Sequence, residues 1–236
     1  MSATVIIPVT GAPEGRTAIE SVLKQTYEDT TCYVVCDGAE HYGKVSEMVR
    51  EFGGKIKLAS LPINVGAKGF YGHRVYAAFT HLVNTEYVMW LDQDNWLGGR
   101  HVQTCIETIQ RRNLDWCYAL RQIRDKAGNF VCFDDCESLG KWPTYHGINH
   151  IDTNSYCVKT DIAIKIAQVW HGGWGQDRVF LNAIAQHFPK WDCTNEYTVN
   201  YRVDGGKGSV TADFFINGNE VMMKKYDGKY PWRTKT

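Results

Sequence analysis

No stretch of this chain approaches the roughly 20 consecutive apolar residues that span a bilayer. Nothing at the N-terminus resembles a signal peptide, since Met1-Ser2-Ala3 leads straight into a β-branched run. Charge of one sign is missing as well. The 26 Lys and Arg are matched by 26 Asp and Glu, giving a formal net charge of zero and a pI near 7.1. No long-range field therefore argues for nucleic acid or a strongly anionic surface as partner. The eight cysteines, at 32, 36, 105, 117, 132, 136, 157 and 193, include no Cys-x-x-Cys pair. Cys32/Cys36 and Cys132/Cys136 each lie across a predicted strand, where side chains four apart share a face but stand roughly 13 Å from one another, too far for one metal. Small buried thiols in a reducing compartment are expected, and with no leader the expected location is cytoplasmic.

Three common active-site motifs are also absent. Gly206-Lys207 is followed by Gly208, and Tyr201 stands where a P-loop needs its first glycine. The loop after the first strand, Thr10-Gly11-Ala12-Pro13-Glu14-Gly15, lacks the Gly-x-Gly-x-x-Gly spacing of a dinucleotide fingerprint. No Gly-x-Ser-x-Gly elbow occurs.

What is present is alternation. Residues 4–9, 32–36, 56–61 and 87–91 are short apolar runs that read as buried strands. Between them stand helical stripes. Ala18, Ile19 and Val22 fall within a helix over 16–25; Val45, Met48, Val49 and Phe52 form a second stripe; Val75, Ala78, Phe79 and Leu82 a third; Val102, Cys105, Ile106 and Ile109 a fourth. Residues 1–112 therefore predict an α/β fold with a mainly parallel sheet and helices on both faces. After Asp115 the pattern changes. Residues 116–123 and 130–133 flank Lys126-Ala127-Gly128-Asn129 as a hairpin. Residues 138–151 read as a loop, 153–158 as a strand, 160–169 and 176–188 as helices with Val179, Phe180, Ala183 and Ile184 inward, and 198–203 as a strand. The tail from 211 has less pattern. Its Lys224, Lys225, Lys229, Arg233 and Lys235 fit a solvated end or a membrane-surface contact. With no repeat or linker, one domain of two functional halves is expected.

The run Tyr87-Val-Met-Trp-Leu-Asp-Gln-Asp-Asn-Trp96 carries the most chemistry. A buried strand ending in Asp92 and Asp94, an Asp-x-Asp (DXD) motif, delivers paired carboxylates to the rim where open α/β sheets bind ligands. Such oxygen ligands suit Mg²⁺ or Mn²⁺ bridging to substrate phosphates, although two solvated acids after a strand would look the same. Asp37 closes the second strand; it can accept from a base imide or form a turn with Gly38. Asp177 opens a helix, as a functional acid or as a favourable N-terminal charge.

These acids stand in a wider pattern. Val5-Ile-Ile-Pro8-Val9, Ala18-Ile-Glu-Ser-Val-Leu-Lys-Gln-Thr-Tyr27 and Tyr33-Val-Val-Cys-Asp37-Gly38, then Asn64-Val65-Gly66, Arg74 and Leu91-Asp92-Gln93-Asp94, and finally Gly175-Gln176-Asp177 and Tyr201-Arg202-Val203 resemble a GT-A-fold glycosyltransferase of family 2. The likeness is good over 4–112 and thinner over 113–210. It implies an inverting, metal-assisted transfer from a nucleotide sugar, most often UDP-linked, to a carbohydrate, lipid-linked or protein acceptor. By that resemblance Pro8, Thr10, Asp37, Asn64, Gly66, Arg74, Asp92, Gln93 and Asp94 hold the donor; Asp92, Asp94 and Asp204 hold Mn²⁺ or Mg²⁺; Asp177 is the general base; Trp174 and Gln176 meet the acceptor. The chain departs from the family where Cys36 precedes a single Asp37, where Gln176 replaces an acid, and where Asp204 replaces a histidine that follows the late strand. A sugar-phosphate nucleotidyltransferase and a non-catalytic binding protein of the same fold are the competing readings. Trp96, Trp142, Tyr145 and Trp170 are further stacking candidates, and His146, His150 and His171 are expected to make polar loop contacts.

Overall fold

The computed structural model describes residues 1–204 and 210–233; Gly206, Lys207, Gly208, Ser209 and Lys235 lie outside them. Four parallel strands, β1 (Ala3–Val9), β2 (Thr30–Cys36), β3 (Ile56–Ser60) and β4 (Tyr87–Trp90), sit in the order β3-β2-β1-β4. The sheet continues past β4 through β8 (Tyr156–Lys159), β6 (Trp116–Arg124), β9 (Trp191–Arg202) and the short β5 (Trp96–Leu97), with β7 (Phe130–Phe133) paired to β6. β8 is antiparallel to both β4 and β6, and β9 is parallel to β6. Hence β1, β2, β4, β6 and β9 all point their C-terminal ends at one rim, and β8 starts from it.

Alternation along the strands sorts the core into two layers. Val5, Ile7, Val9, Cys32, Val34, Met89 and Leu91 face one side with Ala18, Ile19 and Val22 of α1 (Gly15–Leu23), Val45 of α2 (Tyr42–Arg50) and the stripe Val102, Cys105, Ile106 and Ile109 of α4 (His101–Arg112). Ile6, Val35, Val88, Trp90, Trp116 and Tyr118 face the other, against α3 (His73–Phe79), α5 (Thr160–Ile166), α6 (Gln176–His187) and α7 (Ala212–Tyr226). Successive side chains of a strand point to opposite faces, so one run supplies both layers. All eight cysteines are free; Cys132 is half-buried and the others are buried.

Three expectations change. The third helical stripe is out of phase, because Ala78 and Leu82 are exposed and Tyr76 is buried beside Val75 and Phe79. On α6 the inward residues include Leu181, while Val179 is 52% exposed. The tail is packed rather than solvated: α7 buries Phe215 and Met222, and Trp232 is fully buried with its indole N–H donating to Asp135 Oδ1 (2.7 Å). Among the described residues no helix is long and apolar enough to cross a membrane.

Candidate active site

A cleft of about 640 Å³ runs along the rim where the strand ends converge. Of the residues singled out in the sequence, Pro8, Thr10, Asp37, Asn64, Gly66, Asp92, Gln93, Asp94, Trp174 and Asp177 all line it. Arg74, Gln176 and Asp204 do not. The Arg74 guanidinium stacks on the Phe70 ring, 3.3 Å from its centroid. The Gln176 amide donates to Val169 O and braces the preceding loop. Asp204, in a left-handed conformation (φ 60°), turns Oδ2 toward the Ala212 amide (3.4 Å). Among the described residues no three His, Cys, Asp or Glu side chains are grouped to hold a metal ion.

One end of the cleft is built by the loop after β3. Asp37, at the tip of β2 and 3% exposed, accepts from the amides of Val65 (2.8 Å) and Gly66 (2.9 Å), pinning that loop against the rim. Gly66 is required there by close approach, since a Cβ would lie 2.0 Å from Tyr71 O and 2.7 Å from Asp37 Oδ2. Asn64 Oδ1 is buried without a hydrogen-bond partner, and Asn64 lines the cleft. Gln93 ties the ends of β1 and β4 together, accepting from Thr10 N (2.9 Å) and donating to Thr10 Oγ1 (3.0 Å).

The paired acids occupy the middle. Asp92 is fixed at both oxygens, by Tyr76 OH (2.7 Å) and Asn154 Nδ2 (3.0 Å), and its own amide donates to Asn154 Oδ1 (2.6 Å). The antiparallel start of β8 delivers Asn154 to the end of β4. Asp94 opens to the cleft, but the protein crowded around it disfavours its charge, and Asp92 and Asp152 add repulsion. Together they push its pKa up to about 7 despite a backbone hydrogen bond and the nearby Arg202. Arg202, at the end of β9, donates to the carbonyls of Asp94 (3.1 Å) and Lys126 (3.0 Å) and lines the cleft beside the pair.

At the far wall lies a buried charged group. Arg121, 1% exposed on β6, donates to Asp134 (2.9 and 2.7 Å), to Asp152 (2.8 Å) and to Glu137. Burial disfavours the Arg121 charge, but the three carboxylates more than offset it and raise its pKa. His150 stands next, its Nε2 2.7 Å from Asp177 Oδ2 and its Nδ1 3.2 Å from Glu137 Oε1. Asp177, in the first turn of α6, also accepts from the Arg178 amide at Oδ1 (2.8 Å). Burial alone would raise its pKa; the hydrogen bond and charge of His150 reverse this and hold the carboxyl below its usual range.

Trp174, 79% exposed at the mouth, has the Arg178 guanidinium 5.0 Å from its ring centroid. The other aromatic candidates serve packing: Trp170 is fully buried and stacks on Phe180 at 4.0 Å, and Trp142 and Tyr145 pack on the core. A smaller cavity of about 430 Å³, between Tyr33, Lys57 and the segment Leu82–Thr85, carries no acid.

Residues 4–153 match the sequence model described as Glycosyl transferase family 2. The chain belongs to that family. The chain also superposes on solved structures of S. aureus TarS. Its residues 1–349 give a TM-score of 0.66 at 14% identity, over 86% of this chain and 60% of that one. The same TarS fragment in complex with UDP-GlcNAc gives 0.66 at 15% identity, over 95% and 65%. The chain thus spans less than two thirds of those TarS chains, and at such identity the match establishes the GT-A fold. An uncharacterised protein of Haemophilus influenzae is 38% identical over 65 residues, which are 27% of this chain and 44% of that protein.

Sequence reasoning missed Tyr76, Arg121, Glu137, Asp152, Asn154, Arg178 and the contact of His150 with Asp177. The Tyr76 signal was present, in a helix whose stripe could be phased one residue later, through Tyr76, Phe79, Thr80 and Val83. The others come from irregular segments or central strands, where no period announces a partner.

Proposed function

We propose that this glycosyltransferase is inverting and moves a sugar from a UDP-linked donor to an acceptor hydroxyl, with Asp177 as general base. The reading is carried by one observation: Asp37, the Asp92/Asp94 pair and Asp177, from distant parts of the sequence, open onto a single cleft. In this reading residues 1–112 supply the donor half and 113–210 the acceptor half of one cytoplasmic domain. Asn64 and the Asp37-pinned loop meet the nucleoside. UDP as the nucleotide is supported by the TarS structures of similar fold that hold UDP and UDP-GlcNAc.

The acceptor oxygen attacks the anomeric carbon opposite the leaving group. The new C–O bond forms as the C–O bond to phosphate breaks, the hydroxyl proton passes to Asp177, and the nucleoside diphosphate departs with the bonding electrons. The cleft floor suits a divalent cation, because Asp94 lines the cleft and its charge is disfavoured by the surrounding protein and by the neighbouring acids until a positive charge arrives. Such an ion would be held by Asp94 with Asp92, the diphosphate completing its oxygen ligands, and would neutralise the leaving group. Arg202 adds a permanent positive charge on the same side. Trp174 offers its ring to the acceptor sugar.

The test is a panel of nucleotide sugars with and without Mn²⁺, read by thermal shift and by diphosphate release, on the wild type and Asp177→Asn. A UDP-sugar should raise the melting temperature of both proteins, while transfer in the variant falls at least about 100-fold. Undiminished transfer by the variant, or no stabilisation by any nucleotide with metal present, overturns the reading.

A further inference from the structure

Behind Asp177 runs a line of charged contacts for which the transfer chemistry above has no use. It passes from Asp177 Oδ2 to His150 Nε2 (2.7 Å), from His150 Nδ1 to Glu137 Oε1 (3.2 Å), and from Glu137 Oε2 to the buried Arg121. Arg121 is itself anchored by Asp134 and Asp152. The His150 side chain is almost fully enclosed, at 7% exposure. Each ring nitrogen faces a carboxylate. A neutral imidazole carries one N–H and one lone pair, so one carboxylate would meet a lone pair in a water-poor wall. Only the imidazolium presents a donor side to both. The Nε2 contact is a hydrogen bond; the Nδ1 contact is an ion pair without hydrogen-bond alignment. Glu137 is held by Arg121, so the arrangement is braced from the core outward.

We infer that His150 is a positioning residue for the transfer reaction: clamped as an imidazolium between Glu137 and Asp177, it fixes the Asp177 carboxylate and keeps it ionised for the acceptor hydroxyl. This rests on the reading of Asp177 as base. With Oδ2 held by His150 and Oδ1 by the Arg178 amide, the carboxylate plane is set from two directions. Each oxygen still has a second lone pair for the incoming proton. His150 keeps its own proton throughout. The groups facing it are Asp177 from α6, Glu137 and Asp152 from the segment between β7 and β8, and, through Glu137, Arg121 from β6. Burial opposes its charge, but the bonds and charges of Asp177 and Glu137 prevail and lift its pKa to about 10. The geometry trades intrinsic basicity of Asp177 for a base that is oriented and ionised over a wide pH range.

The test compares pH–rate profiles of the wild type, His150→Gln and Glu137→Gln. Without the imidazolium, burial and Glu137 act on Asp177 unopposed, and its pKa rises. In His150→Gln, kcat should fall about 100-fold, as for a misplaced catalytic group, with donor KM and nucleotide-induced thermal shift unchanged. The acid limb of kcat should move up by about one pH unit or more. Glu137→Gln leaves the imidazolium on Asp177 and removes a repelling carboxylate, so its acid limb should move the other way, down; His150→Asn takes the place of His150→Gln if that variant does not fold. An acid limb that stays in place in the folded variants overturns the inference. So does a His150→Gln/Asp177→Asn double variant that loses appreciably more transfer than Asp177→Asn. Full transfer by Asp177→Asn would instead remove the base reading itself, a separate outcome.

Discussion

Trp174 leaves most of the largest side chain in water, a costly disposition unless a ligand covers it. Trp174→Ala should raise acceptor KM about 10-fold, the worth of one aromatic contact, and leave slow hydrolysis of the donor unchanged; initial-rate kinetics with each substrate varied decide this. Gly66 is constrained from the opposite direction. A methyl there collides with Tyr71 O and Asp37 Oδ2, so Gly66→Ala should displace the loop that Asp37 holds and weaken nucleotide binding at least about 10-fold, measured by calorimetry. At this scale the sequence is readable where a side chain ends a strand. Asp37, Asp92 and Asp94 each follow an apolar run, and the parallel sheet then dictates that they share a rim. Arg121 was invisible because it lies inside an apolar strand, and Glu137 and the partners of His150 because residues 134–152 fold without period.

Among the elements, the strand and helix alternation through residue 112 was legible because each strand alternates between two core layers and each helix shows one stripe. Beyond it, β6 and β9 pair in parallel although 78 positions separate partners such as Gln122 and Asn200. No local pattern encodes that pairing. α7 escaped notice for a related reason: Ile216, Val221 and Met223 are exposed, so apolar residues occur on both its faces and blur the period. The short turn Pro231–Arg233 after it fastens the whole segment, with Trp232 buried and both Trp232 and Arg233 on Asp135. Trp232→Ala should destabilise the protein by about 3–5 kcal/mol, read from urea unfolding. A loss under about 1 kcal/mol would mean that α7 is not fastened there.

For the molecule as a whole, the His150 charge links stability to pH. Its pKa rises from 6.5 in the unfolded chain to about 10 in the fold. Its contribution is therefore complete below pH 6.5, declines as pH rises and vanishes above about 10. Urea midpoints taken at pH 7, 8 and 9 should fall for the wild type relative to His150→Gln, by up to about 1.4 kcal/mol per pH unit; parallel lines would mean that the ring is neutral. The two sides of the cleft are also joined at a seam. His73 Nδ1 lies 3.2 Å from Gly172 O, and a Cβ on Gly173 would stand 2.8 Å from Gly69 O. At Gly173 main chain abuts main chain, so a group added there meets the Gly69 carbonyl rather than a flexible side chain. A redesigner seeking new acceptors can therefore vary the rim at Trp174 and Arg178, but widening the junction at Gly173 would pry apart the nucleotide loop and forfeit the donor along with the old specificity.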